Sequence, residues 1–289
     1  MDEKKSSIFK TEDYLSPEEF EILANFIYHK SGIKMEANKT YLLNNRVQKR
    51  IRELRFSGAA EYIRYLKYSD KNGVELQEFL NLVTVNETFF FRDFPQLEAF
   101  VECVKAVVEQ KMLRNDYTLR IWSAGCSTGE EPYTLSIILH EILDDIKKWK
   151  ITIVASDIDQ VVLRKAEAGI YEHRSVKDTP AEYLDNYFNY DKSKQTFHVN
   201  NSVRSVVHFE HLNLNDKDRM RLKRNFDIVF CRNVLIYFDD ESRRRAVEIF
   251  YSALNEKGYV FLGSSESMGR ITLAFKLIRL NKFLVYCKE

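Results

Sequence analysis

Residues Arg120 to Leu139, RIWSAGCSTGEEPYTLSIIL, narrow the possible folds of this chain more than any other stretch. A short apolar run leads into a loop with glycines at 125 and 129, and apolar residues then recur at helical spacing. A strand that feeds a glycine-containing loop and then a helix is how many nucleotide-binding sheets begin. This helix, however, opens on Glu130 and Glu131. A helix N-terminus carries about half a positive charge and usually attracts an anion such as pyrophosphate, a ligand that acid would repel. Either the glutamates simply satisfy the helix dipole, at about 0.3 to 1 kcal/mol each, or the ligand is cationic nearby.

The flanking sequence supplies the frame. In SPEEFEILANFIYHKSG, Ser16, Pro17 and Glu19 form an N-cap, a first-turn proline and a capping box, and Gly32 stops the helix. Three more amphipathic segments follow, Tyr41 to Arg55, AAEYIRYLKYS and VELQEFLNLVT, which predicts an all-helical domain over residues 1–85. After NETFFFRD the pattern changes. LRIW, ITIVAS, FDIVFC, GYVFLG and FLVYC read as strands alternating with helices, so residues 86–289 are predicted as one α/β domain. Between about 177 and 212 the alternation breaks into TFHV and VVHFEHL, which predicts a small antiparallel β-subdomain inserted into that domain.

The 44 basic and 43 acidic side chains nearly cancel, so no global field recruits nucleic acid or an anionic membrane, and electrostatic recognition has to be local. Four cysteines without C-x-x-C spacing read as reduced thiols of a cytosolic protein, and the dispersed histidines assign no metal. The N-terminal MDEKKSSIFK lacks the apolar run of a signal peptide, and no stretch approaches the ~20 apolar residues of a membrane span.

Several residues are candidates for chemistry. Asp157 ends the second predicted strand, where an acid accepts hydrogen bonds from ribose hydroxyls; capping the next helix is the alternative, for which Asp159 is better placed. An adenosine whose far end is positive would reconcile Asp157 with Glu130 and Glu131, and S-adenosylmethionine, with its sulfonium and α-ammonium, is such a ligand. Arg232 and Asn233 follow the strand FDIVFC at the edge where open α/β sheets bind ligands, and Tyr237 comes close behind, either in the site or packed in the core. The N-P-P-Y pattern of adenine amino-methyltransferases is absent, which weighs against a nucleic-acid base as acceptor. In NETFFFRD the aromatics suit a buried junction, whereas Arg92 needs an anion, which is either Asp93 or a substrate. In LLNNRVQKRIRELR, Leu43, Val47, Ile51 and Leu54 fall on one stripe, and Arg46, Lys49, Arg50, Arg52 and Arg55 face a single acid, Glu53. That face is either merely solvated or docks an acidic partner.

Taken together, NETFFFRD, WSAGCSTGEEPYTL, ASDID, FDIVFCRNVLIYF and GYVFLGSSES, in this order and at these separations, resemble the CheR family of chemoreceptor glutamate methyltransferases over nearly the whole chain. The resemblance implies an α/β fold: a Rossmann-like S-adenosylmethionine-dependent methyltransferase sheet with an N-terminal all-helical domain and a small inserted antiparallel β-subdomain. Carried over motif by motif, it implies cofactor contacts at Asn86, Thr88, Arg92, Glu131, Asp157, Asn213, Leu214, Arg232 and Asn233. It implies receptor contacts at Arg46, Lys49, Arg50, Arg52 and Arg55, and we read Arg92 and Tyr237 as the catalytic candidates, Arg92 to hold the carboxylate of acceptor or cofactor and Tyr237 near the transferring methyl.

The implied reaction carries the methyl of S-adenosylmethionine to a glutamate carboxylate, giving a γ-methyl ester and S-adenosylhomocysteine without a metal. The implied partner is the cytoplasmic helical domain of a chemoreceptor, met by a cytoplasmic monomer that neither inserts into the membrane nor binds nucleic acid. A methyltransferase of another acceptor and a non-catalytic S-adenosylmethionine-binding regulator are the alternatives. Some members of the family grip a receptor tether peptide through a glycine-containing loop of the subdomain, and YFNYDKSKQTFHVNNSVRSVVHF contains no glycine.

Overall fold

The computed structural model describes residues 14–269, 271–280 and 283–289, so the polar segment MDEKKSSIFK lies outside the described residues. The chain divides into two compact units, Met1–Val85 and Asn86–Glu289.

Among the described residues, the first unit consists of α1 (Pro17–Ser31), α2 (Thr40–Leu54), α3 (Ala59–Tyr68) and α4 (Val74–Val83), with one 3-10 turn before α2. The Ser16 hydroxyl accepts from the Glu19 N–H at 3.1 Å, the Glu19 carboxylate accepts from the Ser16 N–H at 2.8 Å, and Gly32 closes α1 at a φ of 77°. Leu23, Ile27, Leu43, Val47, Tyr62 and Phe79 are fully buried where the apolar stripes meet. Leu54 departs from its expected stripe and is 41% exposed, because α2 terminates there with Arg55 in the left-handed region at a φ of 60°. Asn44 is buried on α2 instead, its side-chain oxygen accepting from the Leu15 N–H at 2.9 Å.

In the second unit, α5 (Phe94–Met112), β1 (Thr118–Ala124), α6 (Glu130–Ile142), β2 (Lys150–Asp157) and α7 (Gln160–Ala168) lead into the insert. The insert comprises β3 (Ile170–Tyr171), α8 (His173–Val176), α9 (Ala181–Tyr187), β4 (Phe188–Asp191), β5 (Thr196–Val199) and α10 (Asn201–Arg204). The chain then returns through β6 (Val207–His211), α11 (Lys217–Arg221), β7 (Phe226–Cys231), α12 (Asp240–Ala253), β8 (Leu254–Leu262), β9 (Phe275–Leu280) and β10 (Phe283–Lys288). The main sheet has the order β6-β2-β1-β7-β8-β10-β9, and the small antiparallel sheet has the order β3-β5-β4.

The pairs β6–β2, β2–β1, β1–β7 and β7–β8 are parallel, whereas β10 is antiparallel to both β8 and β9. β7 is buried at every residue, as expected for a strand covered on both faces. Trp122 of β1 is likewise fully buried and donates its indole N–H to the Ser156 hydroxyl at 2.9 Å. The strand order reverses between β1 and β7, so their carboxyl ends flank the crevice where such sheets bind ligands.

The insert differs from its expected bounds of 177–212. Its sheet starts at Ile170, and VVHFEHL belongs to the main sheet, where Ile153 of β2 faces Val207 and Asp157 faces His211. An edge strand exposed on one side alternates in polarity just as a hairpin strand does, and that pattern does not reveal its partner. β9, with Lys276 and Arg279 interrupting its apolar residues, escapes the sequence pattern for a similar reason.

Candidate active site

Two loops approach each other at the carboxyl ends of β1 and β7. After β1, the N–H groups of Gly125 and Cys126 both donate to the Ser156 carbonyl, at 2.7 and 3.0 Å. Gly125 has a φ of 83°, and a Cβ there would lie 2.3 Å from Cγ2 of Val234 in the other loop. Gly129, at a φ of 92°, is equally confined, because its Cβ would meet Ala166 at 2.8 Å and the Tyr171 hydroxyl at 3.0 Å. Only glycine lets the backbone pass so close at both positions.

Asp157 is buried at the end of β2, where Oδ2 accepts from the Ser127 N–H at 2.8 Å and Oδ1 from the Asp159 N–H at 2.9 Å. Burial pushes its carboxyl up to about 6, against the opposing pull of those two N–H groups. Asp159 instead caps α7, accepting from the Val161 and Val162 N–H groups at 2.7 and 3.2 Å. Asn86 links the two strand ends, donating to Asp159 at 3.0 Å and accepting from the Ser127 hydroxyl at 3.3 Å. The Leu212 N–H donates to the Asp157 carbonyl at 2.9 Å and so brings Asn213 and the buried Leu214 to the same edge.

The two glutamates of the opening motif separate. Glu130 is buried, accepts from the Thr128 hydroxyl at 2.6 Å and has its pKa raised by burial. Glu131 accepts from the Ser123 hydroxyl at 2.7 Å, and its other oxygen lies 3.4 Å from Arg232.

The Arg232 side chain is 7% exposed yet loosely held. Nη1 stands 3.4 Å from Glu131, Nη2 stands 3.6 Å from Asp93 and 3.2 Å from the Arg92 carbonyl, and the buried Nε has no hydrogen-bond partner. Asp93 thus faces Arg232 and not its neighbour. Arg92 donates to the Glu87 carbonyl at 2.7 Å, lies 5.6 Å from the centre of the Phe89 ring, and pairs with no carboxylate among the described residues. The segment holding it is strained, with Phe91 and Asp93 at φ of 57° and 70°. Phe90 anchors it, its ring set edge-on to Tyr171 at 4.8 Å and Phe188 at 5.0 Å. Thr88 stands in the same irregular segment.

Half-buried Tyr237 titrates above an ordinary phenol because of burial, an effect Arg92 opposes from within electrostatic reach. Its hydroxyl is therefore protonated at neutral pH. One residue that sequence patterns did not single out organises its loop: Glu266 accepts from the N–H groups of Asn233 (2.8 Å), Val234 (3.0 Å), Ile236 (3.2 Å) and Gly263 (2.7 Å). The available signal was an acid three residues after Gly263, just past a buried strand.

This donor set suits an adenosine with an amino-acid tail. Asp157 is an acceptor for hydroxyl donors, Glu131 can face an ammonium, and the under-partnered guanidinium groups of Arg92 and Arg232 can face a carboxylate.

The basic helix of the first unit divides in two. Arg50 donates to both oxygens of buried Glu75, at 2.8 and 2.5 Å, and Tyr62 adds its hydroxyl to the same carboxylate at 2.7 Å. The bond to Glu75 strengthens the hold of Arg50 on its proton. Arg46 donates to the Leu82 carbonyl and, at 3.0 Å, to the Leu42 carbonyl. Lys49, Arg52 and Arg55 are exposed, with Lys49 3.9 Å from Glu53. The cationic face presented to solvent is therefore narrower than the five positions expected from sequence.

The chain is similar to known proteins along both units. Residues 18–84 match the family described as CheR methyltransferase, all-alpha domain, and residues 86–284 match CheR methyltransferase, SAM binding domain. It is 41% identical over 264 residues to chemotaxis protein methyltransferase 2 of Vibrio cholerae, covering 91% of this chain and 90% of that one. It is 32% identical to the chemotaxis protein methyltransferase of Borreliella burgdorferi, with coverage of 88% and 89%. Against that of Escherichia coli the identity is 32%, with coverage of 91% and 89%.

Proposed function

We infer the function of this chain from its family: it belongs to the CheR methyltransferases and is an S-adenosylmethionine-dependent methyltransferase. It methylates chemoreceptors in chemotaxis, and the acceptor we propose is a glutamate side-chain carboxylate, which becomes a γ-methyl ester. The observation that carries this reading is Arg92, a half-buried side chain with no carboxylate partner among the described residues, within electrostatic reach of a protonated Tyr237. Such a pair is suited to an anionic acceptor.

When bound, S-adenosylmethionine supplies an electrophilic methyl on a sulfonium and leaves as S-adenosylhomocysteine once the carboxylate oxygen has displaced the sulfur. Asp157 would hold the ribose, with Asn86, Thr88, Asn213 and Leu214 around the nucleoside and Glu131, Arg232 and Asn233 around the amino-acid tail. A glutamate titrates near 4.3 and is ionised at neutral pH, so no residue of this chain needs to act as a base. Arg92 instead positions the carboxylate of the acceptor, the cofactor tail, or both in turn, and the Tyr237 hydroxyl orients without giving up its proton. Fixed alignment of two reactants is worth up to roughly 7 to 11 kcal/mol. A closed, dry crevice further removes the water that quenches a carboxylate nucleophile.

We assign residues 1–85 to receptor recognition and 86–289 to catalysis. Lys49, Arg52 and Arg55 would meet the acidic helical cytoplasmic domain of the receptor, which favours encounter in a salt-sensitive way. No described helix is long and apolar enough to cross a membrane. We further propose that the protein works as a cytoplasmic monomer that reaches membrane arrays through its receptor contacts.

The test is incubation with radiolabelled S-adenosylmethionine and a receptor cytoplasmic fragment, followed by mild base. Release of labelled methanol is expected from a carboxyl ester. Base-stable label would identify another acceptor, and cofactor binding without transfer would identify a regulator.

A further inference from the structure

Beyond the residues that face the ligand, one carboxylate is fully engaged with main chain. We propose that Glu266 is a positioning residue for the transfer, one that fixes the loop after β7 in the shape that presents Asn233 and Tyr237 to the bound cofactor; this rests on the carboxyl edge being the S-adenosylmethionine site.

An ionised carboxylate has about four lone-pair positions, and here four N–H groups take them. Three donors, Asn233, Val234 and Ile236, belong to the loop, while the fourth, Gly263, ends the β8 side of the crevice. Glu266 therefore staples the loop to the sheet. The loop turns at Asn233, which sits in the left-handed region at a φ of 59°, a conformation asparagine accepts more readily than most residues, and the carboxylate holds that turn in place. The Tyr237 N–H in turn donates to the Val234 carbonyl at 3.1 Å, so the tyrosine inherits the placement of the stapled residues.

The fit around the staple is tight. A Cβ at Gly263 would lie 2.8 Å from Glu266 Oε2 and 3.1 Å from the Asn233 nitrogen. On the opposite side, Val234 presses against the space that Gly125 leaves empty. The loop is thus held between the glycine loop of β1 and the carboxylate. Glutamine would keep the size of Glu266 but turn an NH2 toward two of the four donors, and aspartate would fall one methylene short.

The experiment measures S-adenosylhomocysteine affinity by titration calorimetry and methyl transfer to a receptor fragment. Glu266→Gln is expected to bind at least tenfold more weakly and turn over more slowly while its circular dichroism is unchanged. In an Asn233→Ala background the further loss from Glu266→Gln should be smaller than in the wild type, since one of the two side chains that Glu266 presents is already gone. Gly263→Ala, which crowds the staple without removing it, should reproduce the loss and serves if Glu266→Gln does not fold. Wild-type affinity and turnover in Glu266→Gln, or fully multiplicative losses in the double variant, would overturn the proposal and leave the cofactor site standing. A wild-type protein without affinity for S-adenosylhomocysteine would instead overturn the cofactor site, and the proposal with it.

Discussion

On α2, the Arg50 guanidinium spans both oxygens of Glu75, and Tyr62 fills a remaining position on that carboxylate. At the carboxyl edge of the main sheet, Arg92 has one carbonyl and one ring, and Arg232 has two carboxylates at 3.4 and 3.6 Å and a buried Nε without a partner. The first arrangement satisfies its buried charges within the unit, as the cost of desolvating them demands. The second leaves capacity unused, and a fold tolerates this where a ligand completes the set. The same residue type therefore serves architecture in one unit and is proposed to serve chemistry in the other. The number of bonds each guanidinium already makes separates the two roles better than its exposure does.

The largest expected effect breaks the saturated network. Arg50→Ala leaves Glu75 buried and uncompensated, which should cost about 3 to 5 kcal/mol of stability in the first unit, read by denaturant unfolding. A loss below about 1 kcal/mol would show that water or another side chain replaces Arg50, and the contrast would fail. Next, Arg92→Ala should lower methyl transfer at least tenfold with no loss of unfolding midpoint; full activity would remove Arg92 from the mechanism.

A third test uses pH. Asp157 titrates near 6 when folded and near 3.8 ordinarily, so the folded chain keeps its proton between these values. Its contribution to stability is fullest below 3.8 and declines as pH rises through 6. Binding has the opposite sign, because the ionised form is the better acceptor for ribose hydroxyls. S-adenosylhomocysteine affinity should fall by up to about tenfold from about pH 7 to about pH 5. A flat profile would mean that Asp157 does not meet the ribose. The smallest effect concerns Lys49→Ala, Arg52→Ala and Arg55→Ala, each worth about 0.2 to 1 kcal/mol in receptor-fragment binding. These losses should fade between about 0.05 and 0.3 M salt; salt-independent losses would point to packing instead of steering.

Local chemistry was legible in the sequence. The Ser16–Glu19 capping box, the Gly32 stop, the alternation of strands with helices and the cap at Asp159 all depend on residues a few positions apart. Long-range pairing was not. Arg50 on α2 finds Glu75 on α4, Arg232 takes Asp93 away from its neighbour, and Glu266 reaches back to Asn233. β6 was misplaced for the same reason, since polarity records which face of a strand is wet and nothing about the strand beside it. In the candidate site, individual side chains could be named in advance, but not which of their bonding positions were already filled.

The environment of Trp122 gives the contrast between the units an optical handle. The chain has two tryptophans, Trp122 and Trp149, and both lie in the Asn86–Glu289 unit. Trp122 is sealed in the core, with its indole bonded one residue before Asp157. Emission from these indoles follows melting of the α/β unit, whereas loss of the helical unit, which holds no tryptophan, is read in the far ultraviolet. Comparing the two signals in one melt would therefore tell which unit a substitution has loosened, without cutting the chain.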